Sequence, residues 1–226
     1  MTALERPKSL TERVCDELLT SIMDGTIPFG RLLSEKALAS QYGTSKTPVR
    51  EAFVSLQSLG LVEVLPQKGC LVFCPTIKQV EELCEVRIIL ESAAIRFSMA
   101  HRKKDFLEKL QQAHLCAQEK AKSGPVKEYN AFDDGFHEVF FACCDNEALR
   151  SAYDLFRPRI QTLRINLQST HSYLIAMSVD DHGEIVERLK AEQVEEAIAL
   201  VSVHVRRMSN AYASNWAQLM KTAPEP

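Results

Sequence analysis

The sequence predicts a mainly α chain in two parts, three short helices closed by a hairpin and then an all-α helical bundle. Three observations carry this. Apolar residues recur at three- and four-residue spacing along nearly the whole chain, as on a helix face. Alternation typical of strands is confined to residues 61–74. Gly and Pro gather between the periodic stretches, where they punctuate rather than interrupt.

The first helix is marked by Leu10, Val14, Leu18 and Ile22, and Gly25 is placed to close it, with Pro28 and Gly30 turning the chain. Ser34 is placed to cap a short second helix whose apolar side is Leu38, Ala39 and Tyr42 and which ends at Gly43. Ser45 is placed to cap a third, running to Gly60, with Pro48 in its first turn where a missing N–H costs nothing. Val49, Phe53 and Leu56 form its inner side, and Ser45, Lys46, Thr47 and Arg50 its outer side. Leu61–Leu65 and Cys70–Cys74 then read as strands around Pro66-Gln67-Lys68-Gly69. Two short helices joined at a tight Gly turn, followed by a hairpin, make a winged helix-turn-helix, with cations and hydroxyls at the end that would enter a major groove.

Beyond Ile77 no strand pattern appears. Polar breaks near Lys103, Gly124-Pro125, Asp145-Asn146 and Gln193 divide the rest into a bundle of about six helices. Residues 1–76 and 77–226 are the expected domains.

In the bundle, polar residues stand where apolar ones belong. Asp133 and His137 are four apart on one helix face, and Asp134, three from His137, is an alternative carboxylate. His182 shares a stripe with Ile185, Val186 and Leu189; His204 shares one with Ala197, Val201, Met208 and Ala211. A single inward histidine is commonly a hydrogen-bonded core residue. Three with a carboxylate are a donor set for a divalent metal, with zinc first and nickel or manganese as alternatives.

Arg87 lies on the stripe Val80, Leu83, Leu90, Ala94, Phe97. A buried guanidinium needs an anion. Glu91, four residues on, is one candidate, and the carboxylate of a small effector is the other. Arg164, Asn166 and Tyr173 are further candidates to shape a pocket.

Composition excludes several classes. No apolar run reaches the roughly 18 residues of a membrane span, and the N-terminus lacks an apolar signal core, so a cytoplasmic protein with no membrane partner is expected. Seven cysteines without C-x-x-C spacing read as reduced thiols. Residues 1–77 hold eight Lys or Arg against eight Asp or Glu, so DNA binding must use a local cluster rather than bulk charge.

The stretch LSEKALASQYGTSKTPVREAFVSLQSLGLVEVLPQKGCLVF resembles the winged-helix signature of GntR-type bacterial transcriptional regulators over about 40 consecutive residues. The resemblance implies DNA contacts by Lys36, Ser45, Lys46, Thr47, Arg50, Lys68 and Gly69. Lys36 and Lys46 are often arginine in that family; lysine lacks the forked contact to guanine, which favours phosphate or weaker base contacts here. EVRIILESAA, DDGFHEVFFACCDNEAL and DHGEIVERLKAEQVEEAIALVSVHV resemble the all-helical FCD ligand-binding domain over nearly all of residues 78–215. That resemblance implies metal binding by Asp133, His137, His182 and His204 and effector binding at Arg87.

The expected protein is therefore a ligand-responsive repressor. It would bind a two-fold DNA operator as a homodimer and sense a small carboxylate, and it would not be an enzyme. The rivals are a metal-dependent hydrolase and a regulator whose metal is itself the signal or a structural bolt. Against the hydrolase, no H-E-x-x-H spacing is present, and Glu138 is turned about 100° from the stripe of His137.

Overall fold

The computed structural model describes residues 7–222, and within it the chain forms two compact units, one ending at Cys74 and one spanning Pro75–Met220. The first contains α1 (Leu10–Met23), β1 (Leu32–Leu33), α2 (Glu35–Gln41), α3 (Lys46–Ser58), β2 (Val62–Leu65) and β3 (Gly69–Val72). Ser9 and Glu12 form a reciprocal capping box that starts α1. Ser34 caps α2 by accepting from the Ala37 N–H at 3.4 Å. Ser45 stands at the N-cap of α3 but makes no side-chain cap bond, so its exposed hydroxyl remains at the helix start. Gly25, Gly43 and Gly60 each have positive φ just past the helices they terminate.

The sheet is antiparallel in the order β1-β3-β2. The two-residue β1 shows no alternation to read in the sequence. It adds to the hairpin through Leu32 and Leu33, opposite Leu71 and Cys70. Lys68 N–H closes the wing turn on the Leu65 carbonyl at 3.1 Å, with Gln67 at φ 65°. Val14, Leu18, Ile22, Val49, Phe53, Leu56, Leu61, Cys70 and Val72 join helices and hairpin in one core. Leu10 begins the α1 stripe but is 43% exposed.

The second unit is all helical: α4 (Ile77–His101), α5 (Lys103–Ser123), α6 (Val126–Ala142), α7 (Glu147–Thr170), α8 (Tyr173–Lys190) and α9 (Val194–Thr222). The break at His171-Ser172, between α7 and α8, contains neither Gly nor Pro and was not expected; Pro158, by contrast, lies inside α7 without ending it. Thr76 and Gln79 cap α4 reciprocally, and the Tyr212 hydroxyl donates to the Pro75 carbonyl at 2.6 Å, tying α9 to the start of α4. The Ser98 hydroxyl donates to the Phe140 carbonyl at 2.8 Å between α4 and α6. Gly183 lets α8 lie close to α5, since a Cβ there would stand 3.3 Å from the His114 ring. These contacts tie α9 and α6 to α4, and α8 to α5.

Candidate metal centre and operator-reading helix

His137 on α6, His182 on α8 and His204 on α9 converge so that one ligand atom from each lies within 4.8 Å of the others. His137 and His182 are fully buried, and His204 is 9% exposed at the side chain. Phe136 stacks on the His182 ring with centroids 3.8 Å apart, fixing its plane.

Carboxylates face the second nitrogens of two of the rings. Asp181 Oδ2 lies 3.2 Å from His204 Nδ1, and Glu91 Oε2 lies 3.3 Å from His137 Nδ1. With an N–H on each Nδ1 the two Nε2 atoms stand 3.3 Å apart, and the His137 Nε2 lone pair accepts from Arg87 Nη2 at 2.8 Å, a bond that a metal would replace. Two imidazole nitrogens about 2.0–2.1 Å from a tetrahedral zinc stand roughly 3.3 Å apart. Neither ring nitrogen of buried His182 has a hydrogen-bond partner. The donor set therefore fits a divalent cation, and the carboxylates behind the imidazoles are the support such ligands use. Burial pushes the His137 and His182 pKa values well below the ordinary imidazole range, keeping the rings neutral as ligation requires.

Asp133 stands at the edge of the triad, its Oδ1 3.8 Å from His182 Nε2. The hydroxyls of Tyr129 and Ser178 each donate to Oδ1 at 2.7 Å, and Arg164 Nη1 lies 2.8 Å from Oδ2. Burial opposes the charge of Asp133, but Arg164 first and the histidines next hold its carboxyl well below the usual range. Asp134 turns elsewhere: Arg157 donates to its Oδ2 from Nη2 at 2.6 Å and from Nε at 3.0 Å. Glu138 pairs with Arg150 and Arg157.

Arg87 is 2% exposed, and its Nε donates to Glu91 Oε1 at 2.6 Å while Nη2 donates to His137 Nε2 at 2.8 Å. Both sequence options meet here. The guanidinium has its helix partner, and it also lines a small cavity of about 40 Å³, partly open to solvent, with Asp133, Arg164, Gln168, Ser178 and His204. Of the other pocket candidates, Arg164 lines this cavity; Asn166 instead donates to the Thr162 carbonyl, and Tyr173 is 55% exposed. Tyr129, Ser178 and Asp181 were not anticipated. Tyr129 and Ser178 each precede a candidate ligand by one helical turn and Asp181 precedes His182 directly, a spacing signal that existed but also marks many ordinary helix pairs.

In the first unit, Lys36, Ser45, Lys46, Thr47, Arg50 and Lys68 are exposed and Gly69 is half-buried in the wing. Arg50 Nε donates to both oxygens of Glu35 at 2.9 and 2.8 Å, which joins α3 to α2 and orients the guanidinium. Gly69 has φ 118°, and a Cβ there would collide with the Leu33 carbonyl.

Residues 10–72 match the model for bacterial regulatory proteins of the gntR family, and residues 82–207 match that of the FCD domain. The chain belongs to the GntR family, in its FCD branch. It is similar to a "Probable D-xylose utilization operon transcriptional repressor" of Paenarthrobacter nicotinovorans, at 28% identity over 87% of this chain and 86% of that protein. It is similar also to the gluconate operon transcriptional repressor of Bacillus subtilis strain 168, at 24% identity over 85% and 79%. In fold it is similar to a GntR regulator of Rhodococcus sp. RHA1, with TM-score 0.76, 22% identity and coverage of 95% and 99%. As a GntR regulator the chain binds DNA and controls transcription, and it is not an enzyme, which removes the hydrolase reading. No helix among the described residues is long and apolar enough to cross a membrane.

Proposed function

We propose that this regulator binds a two-fold operator as a homodimer in the cytoplasm and represses until a small organic acid enters the cavity beside a divalent metal. His137, His182 and His204, with Asp133 at the edge, are the proposed metal-binding residues; zinc is the first choice, then nickel or manganese. The observation that carries the reading is the 3.3 Å approach of two Nε2 atoms whose Nδ1 atoms each face a carboxylate.

When bound, the metal supplies a Lewis-acidic seat for an acid oxygen. Three cavity arginines, Arg87, Arg164 and Arg207, are matched by Glu91, Asp133 and Asp181. Those charges cancel, so a divalent ion leaves an excess of positive charge that a carboxylate offsets. Arg87 is the proposed arginine for that carboxylate, beside His137. The name of one relative, the gluconate operon repressor, makes gluconate a sensible first acid to try.

On DNA, one α3 per half-site would enter the major groove, with Ser45, Lys46, Thr47 and Arg50 facing base edges and phosphates. Lys36 and the wing residues Lys68 and Gly69 would contact the backbone nearby.

Operator titrations with metal-loaded protein, with and without acid, test the scheme. Acid that weakens operator binding supports it. Operator affinity that follows free metal and ignores every acid would instead make the metal the signal.

A further inference from the structure

We infer that Val54 reads a thymine in each half-site by packing against its C5 methyl group, which adds an A·T requirement to the operator; this rests on the reading above that α3 enters the major groove. Val54 is four residues beyond Arg50 and seven beyond Thr47, so the three share one face of α3. That face is opposite the buried side chains Val49, Ala52, Phe53 and Leu56. Val54 is 63% exposed, more open than Leu10 or Leu32 in the same unit. An exposed β-branched residue in a helix interior adds nothing to the helix, since its propensity is below that of Ala, Lys or Arg. Local stability does not account for valine at this position.

The polar groups around it are engaged elsewhere. Glu51 accepts from the Thr11 hydroxyl of α1 at 2.6 Å, the Ser55 hydroxyl donates to the Glu51 carbonyl at 3.1 Å, and the Ser58 hydroxyl donates to the Ser55 carbonyl at 2.7 Å. What this turn of α3 offers a groove is a pair of methyl groups. Lys46 and Arg50, both exposed, flank them with the positive charge that phosphates attract. Base edges in the major groove are donors and acceptors except at the thymine C5 methyl, the one apolar group there. Valine has no hydrogen bond to give, so thymine is the base its side chain favours, and its stiff χ1 leaves little freedom to lose on contact. Val54 lies about 6 Å beyond Arg50 along the helix axis, close to two base-pair steps, which sets the spacing between the two contacts.

Replacing thymine by deoxyuridine removes the methyl group and leaves the pairing edge intact, so it isolates this contact. The duplex to use is the one that full-length wild-type protein enriches from a randomised library, with each thymine replaced in turn and affinity read by fluorescence anisotropy. At least one thymine per half-site should cost roughly fourfold when replaced, the loss expected for one methyl group left unburied. Val54→Ala, an exposed change that should melt no lower than the wild type, is expected to weaken binding to the thymine duplex by a similar factor and to ignore the deoxyuridine at that position. Arg50→Ala should keep the sensitivity while binding both duplexes more weakly. Wild-type affinity unchanged by every replacement, or full sensitivity at every thymine in Val54→Ala, overturns the inference and leaves the placing of α3 standing. Protein that enriches no sequence, or whose enriched duplex is bound equally well after Thr47→Ala, Arg50→Ala and Val54→Ala alike, removes the placing of α3 and the inference with it.

Discussion

Arg50 is the side chain at which the operator-reading surface is most specifically prepared. Its contact to Glu35 fixes the guanidinium without burying it, and the remaining N–H groups stay available to a base edge or phosphate. Arg50→Ala is expected to weaken operator binding roughly 5- to 150-fold if it reads a base, and to lower the salt slope by about one if it contacts phosphate. Fluorescence anisotropy across a salt series separates the two, and an affinity unchanged at every salt concentration would remove Arg50 from the interface. The thiols make a second residue-scale case. Burial pushes Cys70 up to about 12 and Cys84 up to about 11, from an ordinary value of 9.0. Both are raised, so the unfolded chain loses these protons first, and their contribution to stability is intact below about pH 9 and declines above it. Iodoacetamide at pH 8 should therefore label half-buried Cys116 well before Cys70 or Cys84, as read by peptide mass spectrometry.

Elements place these side chains through a few close approaches. The wing depends on Gly69, because no side chain fits between its backbone and Leu33 at that φ. Gly69→Ala should destabilise the first unit by about 1–3 kcal/mol and weaken operator binding, while metal content stays at the wild-type level. Denaturant melts and metal analysis on one preparation check both halves. At Gly183 the constraint is a neighbour rather than a dihedral. An added methyl group presses on the His114 ring and must displace α8 or α5 by a few tenths of an ångström, for a cost of roughly 1 kcal/mol. Since His182 is the preceding residue, Gly183→Ala is expected to lower metal affinity as well as stability, and a competition titration against a chelator would show it. The elements also mark where sequence reasoning stops. Helix stripes with Gly or Pro punctuation were legible for α1, α2, α3 and the break at Gly124-Pro125, and a polar pair marked the break at Asp145-Asn146. The two residues of β1 gave no period to detect, and α7 ends at Thr170 with neither Gly nor Pro, where the C-cap His171 pairs through Nε2 with Asn215 of α9 at 2.9 Å, a partner no local spacing reveals.

Across the whole molecule, a histidine on an apolar stripe is conspicuous in a one-dimensional pattern, and His137, His182 and His204 were legible for that reason. Their support was not. Glu91 and Asp181 reach the imidazoles from α4 and α8, and no spacing within one helix identifies a partner on another. The same limit applied to Arg87, whose stripe announced a buried cation and whose spacing offered Glu91 as a partner, but not that it would also reach His137 on α6. Metal that binds only the folded chain adds stability as RT ln(1 + [M]/Kd), about 2.7 kcal/mol at a hundredfold excess over Kd, and Tm should rise with free zinc accordingly. An effector changes operator affinity only by its preference between the two conformations, typically about 1–3 kcal/mol.

The central claim is that three histidines from three helices form one metal centre in this regulator. Elemental analysis of purified wild-type protein and His182→Ala, both dialysed against metal-free buffer after zinc loading, tests it most directly. About one zinc per chain in the wild type and little in His182→Ala is the predicted result. Wild-type protein that retains no zinc, nickel or manganese under any loading condition, or a His182→Ala variant that retains as much as the wild type, would contradict it.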